Sequence, residues 1–211
     1  MSQARPLTPE EFRAAADVSR ETLARLEAYA ELLQRWQPAV NLVAASTLPD
    51  LWRRHMLDSA QLFRLLPRVP TKLADLGSGA GFPGLVLAIM GAGEVELLES
   101  DARKCAFLRE AIRVTAAQAQ VREGRIEALT GHQFDVVTAR ALAPLSKLLE
   151  HAARLLAPGG SALFLKGAKS EEELTAASEA WKISLERFPS LTDPGGWVLR
   201  IREITRVRSN R

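Results

Sequence analysis

The sequence predicts an α/β fold: a mostly parallel sheet wound with helices and preceded by a helical segment. Three observations carry that expectation. In Lys72–Ile89, KLADLGSGAGFPGLVLAI, a short apolar strand runs straight into a glycine-rich turn and an apolar helix. Downstream, short apolar runs ending near Glu99, Arg122, Ala139 and Leu165 alternate with segments of helical period. Several of these runs also deliver a polar side chain (Glu99, Arg140, Lys166) at their C-terminal ends, the edge at which open α/β sheets bind ligands.

The 211 residues suit one such domain with a modest extension, and 47% apolar with 25% charged residues is the ordinary balance of a globule with a sizeable core. The one cysteine, Cys105, has no intramolecular disulfide partner and no neighbours at zinc-ligand spacing. Met1 to Phe12 is polar and lacks the apolar run of a signal peptide, and no stretch approaches the ~18 apolar residues that span a bilayer. A cytoplasmic protein with no membrane partner is expected. The net charge of +3 permits a nucleic-acid partner without requiring one. Arg200, Arg202, Arg206, Arg208 and Arg211 make the C-terminus basic, with only Glu203 opposing within it.

Taken in order, Thr8-Pro9-Glu10-Glu11 has the form of a capping box with proline at the first helical position. Ser19 caps a second helix, in which Leu23, Leu26, Ala30, Leu33 and Trp36 mark one buried face and which Pro38 ends. Asn41-Leu42-Val43 is a connector. Thr47-Leu48-Pro49-Asp50 opens a third helix, on which His55, Asp58 and Ser59 share a face, as an internal hydrogen-bonded group or as a cluster turned to the cleft. Pro67 and Pro70 bound a linker, so residues 1–66 read as a helical cap and 67–211 as the sheet domain of one compact unit. After the first strand, Gly77, Gly79 and Gly81 let the backbone turn sharply, and free N–H groups are expected around a small concave site.

Val95–Glu99 is the second strand, and its final acid lies 22 residues beyond Gly77, where doubly wound folds hold ribose hydroxyls. Asp101 caps a helix to about Thr115 whose first turn carries Arg103 and Lys104, better placed there if they reach an anion. A strand around 120–122 leads to the loop Gly124-Arg125-Ile126-Glu127, and Phe134–Ala139 delivers Arg140 to the binding edge. A helix over Pro144–Leu156, a tight turn at Pro158-Gly159-Gly160 and a strand at Ser161–Leu165 deliver Lys166-Gly167 to the same edge. Glu171-Glu172-Glu173 starts another helix, and 182–188 with 197–204 form an antiparallel pair. Internal repeats and low-complexity segments are absent from the sequence.

The third glycine of the dinucleotide fingerprint would fall on Phe82, so the motif is not G-x-G-x-x-G. Asp75-Leu76-Gly77-Ser78-Gly79-x-Gly81 instead resembles the first motif of S-adenosylmethionine-dependent methyltransferases with a Rossmann-like sheet. Four blocks extend the likeness: Trp36-Gln37-x-x-x-Asn41-Leu42, His55-x-x-Asp58-Ser59, the glycine motif continued as Phe82-Pro83-Gly84, and Ala139-Arg140-Ala141. With Lys166-Gly167 added, the chain resembles the small-subunit ribosomal RNA methyltransferase G family, also called glucose-inhibited division protein B. Gly195-Gly196-Trp197 departs from the Glu-Arg-His common in that family.

The resemblance implies a class I sheet of seven strands with the last one antiparallel. It implies methylation of guanine N7 at position 527 of 16S rRNA, in the 530-loop hairpin, on free rRNA or the 30S subunit, with S-adenosyl-L-homocysteine as product. It carries cofactor contacts to Gly77, Phe82, Ile126, Glu127 and Arg140, with Glu99 at the ribose and Ser78 and Gly79 in the same turn. Arg140 and Lys166 are expected to position cofactor carboxylate or RNA phosphate. Asn41, His55, Asp58, Arg103, Lys104 and Lys166 are the RNA-binding candidates. No metal is expected, and a monomer is. Guanine N7 offers a lone pair and no proton, so transfer needs positioning rather than a general base. The absence of an Asn/Asp-Pro-Pro-Tyr/Phe motif after the fourth strand, and Cys105 inside a helix away from the strand ends, fit such an acceptor. Two other readings share the cofactor motif: a small-molecule methyltransferase, and a non-catalytic RNA- or ribosome-binding protein.

Overall fold

A computed structural model describes residues 5–67, 71–131 and 133–207. Pro70, Arg208 and Arg211 lie outside the described residues. The capping box forms: Thr8 Oγ1 accepts from Glu11 N at 3.3 Å, Glu11 Oε2 accepts from Thr8 N at 3.0 Å, and α1 (Pro9–Ala16) follows. Ser19 Oγ caps α2 (Arg20–Trp36) by accepting from Thr22 N at 3.0 Å. Leu23, Leu26, Ala30 and Leu33 of α2 are buried, as their spacing requires.

The expected third helix is instead a broken helical run. A 3₁₀ turn (Ala45–Asp50) containing Pro49 gives way to a π-helical turn (Trp52–Leu57), then α3 (Asp58–Ala60) and a 3₁₀ turn (Phe63–Leu65). Pro49 has no N–H to donate, which removes one rung of a regular ladder. Asp50 is also drawn outward, accepting from Leu7 N at 2.8 Å and Arg53 Nε at 2.9 Å.

The strands are β1 (Thr71–Leu76), β2 (Gly93–Glu99), β3 (Ala119–Glu123), β4 (Phe134–Arg140), β5 (Leu156–Lys166), β6 (Trp181–Pro189) and β7 (Trp197–Arg206). They form one sheet in the order β3-β2-β1-β4-β5-β7-β6. Strands β1 to β5 pair in parallel, and β7, inserted between β5 and β6, runs antiparallel to both. The order reverses at β1, between β2 and β4, which is where such sheets open a crevice. Pro158-Gly159-Gly160 does not close a turn before the fifth strand. It lies within β5 as an irregularity where the register against β4 shifts between Phe134 and Val136.

The helices α4 (Gly84–Ile89), α5 (Ala102–Thr115), α6 (Leu145–Leu155) and α7 (Ser170–Ser178) complete the layers. Two apolar cores result. Phe12, Leu26 and Tyr29 from the N-terminal helices share one with Leu85, Phe107 and Leu163, while Leu148, Ala152, Phe164 and Leu199 belong to the core on the opposite face. The N-terminal helical segment is therefore packed into the sheet's own core. No helix among the described residues is long and apolar enough to cross a membrane.

Candidate active site

The parallel register places the site. Leu76 pairs with Leu98 of β2 and Ala139 of β4, so the next residues, Gly77, Glu99 and Arg140, emerge together at one edge. Gly77 has φ +62°, a left-handed conformation that costs an L side chain about 1 kcal/mol or more. The turn spends N–H groups on fastening itself. Ser78 N donates to Leu98 O at 3.0 Å, Gly81 N to Ser78 O at 2.6 Å, and Gly79 N to Glu99 Oε2 at 2.8 Å. The Ser78 hydroxyl is turned inward onto Asp75 O at 3.0 Å. Glu99 Oε1 accepts from Ser100 N (2.7 Å) and Asp101 N (2.8 Å), so three backbone amides hold this carboxylate. Of its roughly four lone-pair directions one stays open.

Asp75 lies beneath the turn, fully buried. Its register partner Thr138 donates to Oδ1 at 2.7 Å, while Oδ2 has no hydrogen-bond partner among the described residues. Burial, the largest influence, pushes the Asp75 carboxyl up to about 6. Gly84 is required by contact: a Cβ there would lie 2.5 Å from Asp75 Cβ and 2.6 Å from Leu97 Cδ2.

Arg140 is gripped from the N-terminal segment. Its Nη1 donates to Arg54 O (3.1 Å) and Asp58 Oδ2 (3.3 Å), and its Nη2 to His55 Nδ1 (2.8 Å). The guanidinium lies over the Phe82 ring at 5.0 Å, and the His55 ring packs on Phe82 with centroids 4.9 Å apart. A guanidinium can only donate, so Nδ1 is the acceptor and Nε2 carries the imidazole proton. That proton is donated to Thr47 Oγ1 at 2.7 Å, whose own hydroxyl donates to Ala44 O at 2.7 Å. Burial, then the neighbouring Arg140 and Arg54 charges, depress His55 to about 3, so it is neutral here. Of the two arrangements expected for His55, Asp58 and Ser59, the cleft-facing one holds for His55 and Asp58, and the internal hydrogen bond holds for Ser59. Ser59 is buried and its hydroxyl returns to His55 O at 2.7 Å.

Asp58 and Lys166 tie down the rest of the cleft. Asp58 Oδ1 accepts from Thr192 Oγ1 (2.6 Å) and Gln61 Nε2 (3.0 Å), attaching the β6–β7 connection to the helical segment. Lys166 reaches the cleft edge as predicted, but its ammonium is committed to Ala143 O (2.9 Å) and Glu173 Oε2 (2.7 Å). The same Glu173 oxygen accepts from Leu145 N at 2.7 Å, so this pair clamps the loop after β4 to α7. In that loop Leu142 lies over Gly77, whose absent Cβ would stand 2.4 Å from Leu142 Cδ1. The cleft holds about 780 Å³ and is lined by Gly77, Ser78, Gly79, Phe82, His55, Asp58, Arg140 and Lys166, together with Leu142, Thr192, Asp193 and Trp197.

Other predicted residues stand elsewhere. Ile126 and Glu127 open a 3₁₀ turn (Ile126–Ala128) beside a second recess of about 340 Å³ lined by Gly124, Arg125 and Ala128. Arg154 of α6 fixes that turn, donating to Glu127 O (3.0 Å) and Leu129 O (3.2 Å). Asn41 is exposed and contacts Gln37, whose amide also bonds Leu42 N, Val43 N and Val43 O and so shapes the connector. The Arg103 and Lys104 side chains make no ion pair among the described residues, and their amides are taken by Asp101 Oδ1 (2.8 and 3.3 Å). Arg200 and Arg202 are less free than their sequence neighbourhood implies, because Glu186 of β6, the cross-strand partner of Arg200, binds both.

Cys105 also needs correction. It is not remote from the strand ends, since its thiol donates to Glu99 O at 3.4 Å from the buried underside of α5. Burial pushes that thiol's pKa up, away from the thiolate form. Sequence reasoning missed Thr47, Leu142 and Thr192, whose roles arise from contacts beyond their own turns, and Asp193, which lines the cleft. Tyr29 was also missed; its hydroxyl donates to Ala80 O and its ring packs on Phe82 at 5.4 Å. Its place on the buried face of α2, the i+3 neighbour of Leu26, was the available signal.

The architecture has many counterparts among solved structures. A ribosomal protein L11 methylase from Lactobacillus delbrueckii subsp. bulgaricus superposes with a TM-score of 0.56 at 17% identity, covering 72% of this chain and 77% of that one. A TehB-like SAM-dependent methyltransferase from Corynebacterium glutamicum gives 0.55 at 20% identity, covering 85% and 98%. At these identities the likeness concerns the fold. Sequence similarity reaches further. The chain is 59% identical over 201 residues to the ribosomal RNA small subunit methyltransferase G of Paramagnetospirillum magneticum, covering 95% of this chain and 98% of that protein. It is 59% identical over 194 residues to the protein of the same name from Rhodospirillum centenum, covering 92% and 90%. Residues 22–194 match the family model described as GidB, rRNA small subunit methyltransferase G. The chain with this glycine turn and this anchored arginine thus belongs to the rRNA small subunit methyltransferase G family.

Proposed function

We propose that the protein transfers the methyl group of S-adenosylmethionine to guanine N7 at position 527 of 16S rRNA, in the 530-loop hairpin. It would act as a monomer in the cytoplasm, on free rRNA or the 30S subunit. The observation that carries this reading is the juxtaposition, in a chain of this family, of the Gly77 turn, the amide-held Glu99 and the fixed Arg140 along one sheet edge. Those residues suit the cofactor's chemistry. A backbone without side chains admits a close ligand, a carboxylate with an open lone pair accepts a ribose hydroxyl, and a guanidinium receives a carboxylate. Gly77, Ser78, Gly79, Phe82 and Glu99, with Ile126, Glu127 and Arg140, would hold S-adenosylmethionine, which supplies an electrophilic methyl group on a sulfonium.

The chain's own part is binding and alignment. Arg140 has five N–H groups and uses three inside the protein, leaving two for a ligand. His55 has both nitrogens engaged, to Arg140 and Thr47, and is not available as a base. That suits an acceptor whose nucleophilic lone pair carries no proton. Lys166 contributes by holding the loop after β4, through Ala143 and Glu173, rather than by meeting a phosphate itself.

The test is transfer of labelled methyl to small subunits, and to free 16S rRNA, that lack the modification, mapped by borohydride and aniline cleavage at N7-methylguanine. A single cut in the 530-loop hairpin supports the reading, and the better substrate identifies what is recognised. Cofactor binding without transfer to either would overturn the assigned acceptor while leaving the cofactor reading intact.

A further inference from the structure

The cleft that would receive the target nucleotide of an RNA contains three acidic side chains, Asp58, Glu173 and Asp193. Two of them are accounted for inside the protein. Asp58 is paired with Arg140, and Glu173 with Lys166. Asp193 has no cationic partner among the described residues. Its Oδ1 accepts only from Gly195 N, at 3.1 Å, within its own turn, and no hydrogen bond to Oδ2 is present among the described residues. A bare carboxylate repels RNA phosphate, so its presence in this cleft calls for a hydrogen-bond donor on the substrate to offset it.

The topology says which part of the substrate comes near. Gly77 and Glu99 put the cofactor over the β2–β1 side of the sheet, which leaves the β4–β5–β7 side for the acceptor. The hairpin connection Ser190–Gly196 forms the wall of that side, held in place by Thr192 on Asp58 (2.6 Å) and by Leu191 N on Gln61 Oε1 (2.9 Å). A guanine that turns N7 toward the cofactor turns its N1–H and N2–H₂ donors away from it, toward this wall. Enzymes that act on single bases read that edge by hydrogen bonds. A carboxylate accepts both guanine donors side by side, whereas adenine offers an acceptor at N1.

We infer that Asp193 determines base specificity, its carboxylate accepting the N1–H and N2–H donors of the target guanine; this rests on guanine being the acceptor, as proposed above. The experiment pairs a protein change with a base change. Wild type, Asp193→Asn and Asp193→Ala are assayed on small subunits reconstituted with 16S rRNA ligated to carry guanosine or inosine at the target position. Inosine retains N7, O6 and N1–H and lacks only the N2 amine. Asparagine keeps an oxygen acceptor for Gly195 N, so the turn survives in that variant even where alanine loosens it.

The wild type should prefer guanosine over inosine by about tenfold or more in kcat/KM. Both variants should lower kcat/KM on guanosine and narrow the preference to within about threefold, with cofactor affinity by calorimetry unchanged. Any intrinsic difference in N7 nucleophilicity cancels when the preferences are divided. A preference that is absent in the wild type, or undiminished in both variants, overturns the inference while leaving guanine methylation standing. Failure of the wild type to methylate the guanosine substrate overturns the acceptor reading and this inference with it.

Discussion

Arg140→Lys keeps the charge at the centre of the cleft and removes the planar fork. The guanidinium reaches three acceptors in different directions, Arg54 O, Asp58 Oδ2 and His55 Nδ1, and still has two N–H groups for a ligand. An ammonium has three donors on a single atom and cannot reach all of those acceptors and a carboxylate at once. On the cofactor contact proposed for Arg140, losing one charge-assisted hydrogen bond should cost ~1.5–3 kcal/mol, or about 10–150-fold in Kd. The protein itself should lose less. The Arg140 side chain is 18% exposed, so water replaces part of what is broken, and Asp58 keeps Thr192 and Gln61. A stability loss of ~1–2 kcal/mol, or a Tm lower by about 2–8 °C, is expected. Calorimetric titration with S-adenosylmethionine and a melting curve on the same preparation separate the two effects. A folded Arg140→Lys variant that binds cofactor within twofold of wild type would refute the reasoning that the fork is needed.

Four further outcomes follow from the same geometry. His55, depressed to about 3 from 6.5, favours the fold increasingly as pH rises between those values, whereas Asp75, raised to about 6 from 3.8, favours it less across roughly pH 4 to 6. Asp75→Asn should therefore steepen the rise of stability with pH over that window, by up to ~1.4 kcal/mol per pH unit, and urea titrations showing parallel slopes would count against it. Gly84→Ala should lower stability by ~1–3 kcal/mol or more, read as Tm, because its methyl would overlap Asp75 and Leu97. Lys166→Ala and Glu173→Ala should each cost ~3 kcal/mol and couple in a double-mutant cycle; additive losses would mean that Lys166 works for something other than the clamp. Arg103→Ala and Lys104→Ala should each reduce the salt slope of rRNA binding by about one without changing cofactor affinity, and an unchanged slope removes the pair from the RNA interface.

The legible parts of this fold are those written over short distances. A capping box at Thr8–Glu11, an N-cap at Ser19 or Asp101, and a strand followed by glycines each depend on residues within a turn of one another. Arg140 and Glu99 could be placed because parallel strands bring successive C-terminal ends to one edge. What escaped was set by contacts between distant residues. Arg140 meets His55 across 85 positions, and Asp58 meets Thr192 across 134. The neutralising of Lys166 by Glu173 spans only seven positions, but it requires α7 to fold back on the strand end, which no local pattern announces. The acid opposing the basic C-terminus, Glu186, lay in the partner strand rather than in the tail. The π-helical turn Trp52–Leu57 lies against α1, with Trp52 on Phe12, a contact across 40 positions that its own sequence does not announce.

These pairings change how the site's charge is to be understood. Counting cations along the edge suggests a strongly positive cleft, yet Asp58 and Glu173 each offset one of them and fix its direction. An arginine held by an acid, a carbonyl and a neutral imidazole attracts a distant phosphate weakly and a nearby carboxylate well, because the remaining donors are aligned and need no reordering. The cleft is thus built for alignment of small groups rather than for capture of a long polyanion. Under the proposed function, capture is assigned to cations that no acid restrains, and Arg103 and Lys104 on α5 are such a pair among the described residues. Raising salt should accordingly weaken the hold on rRNA much more than the hold on S-adenosylmethionine, since screening acts on exposed, separated charges and little on those in contact inside a cleft.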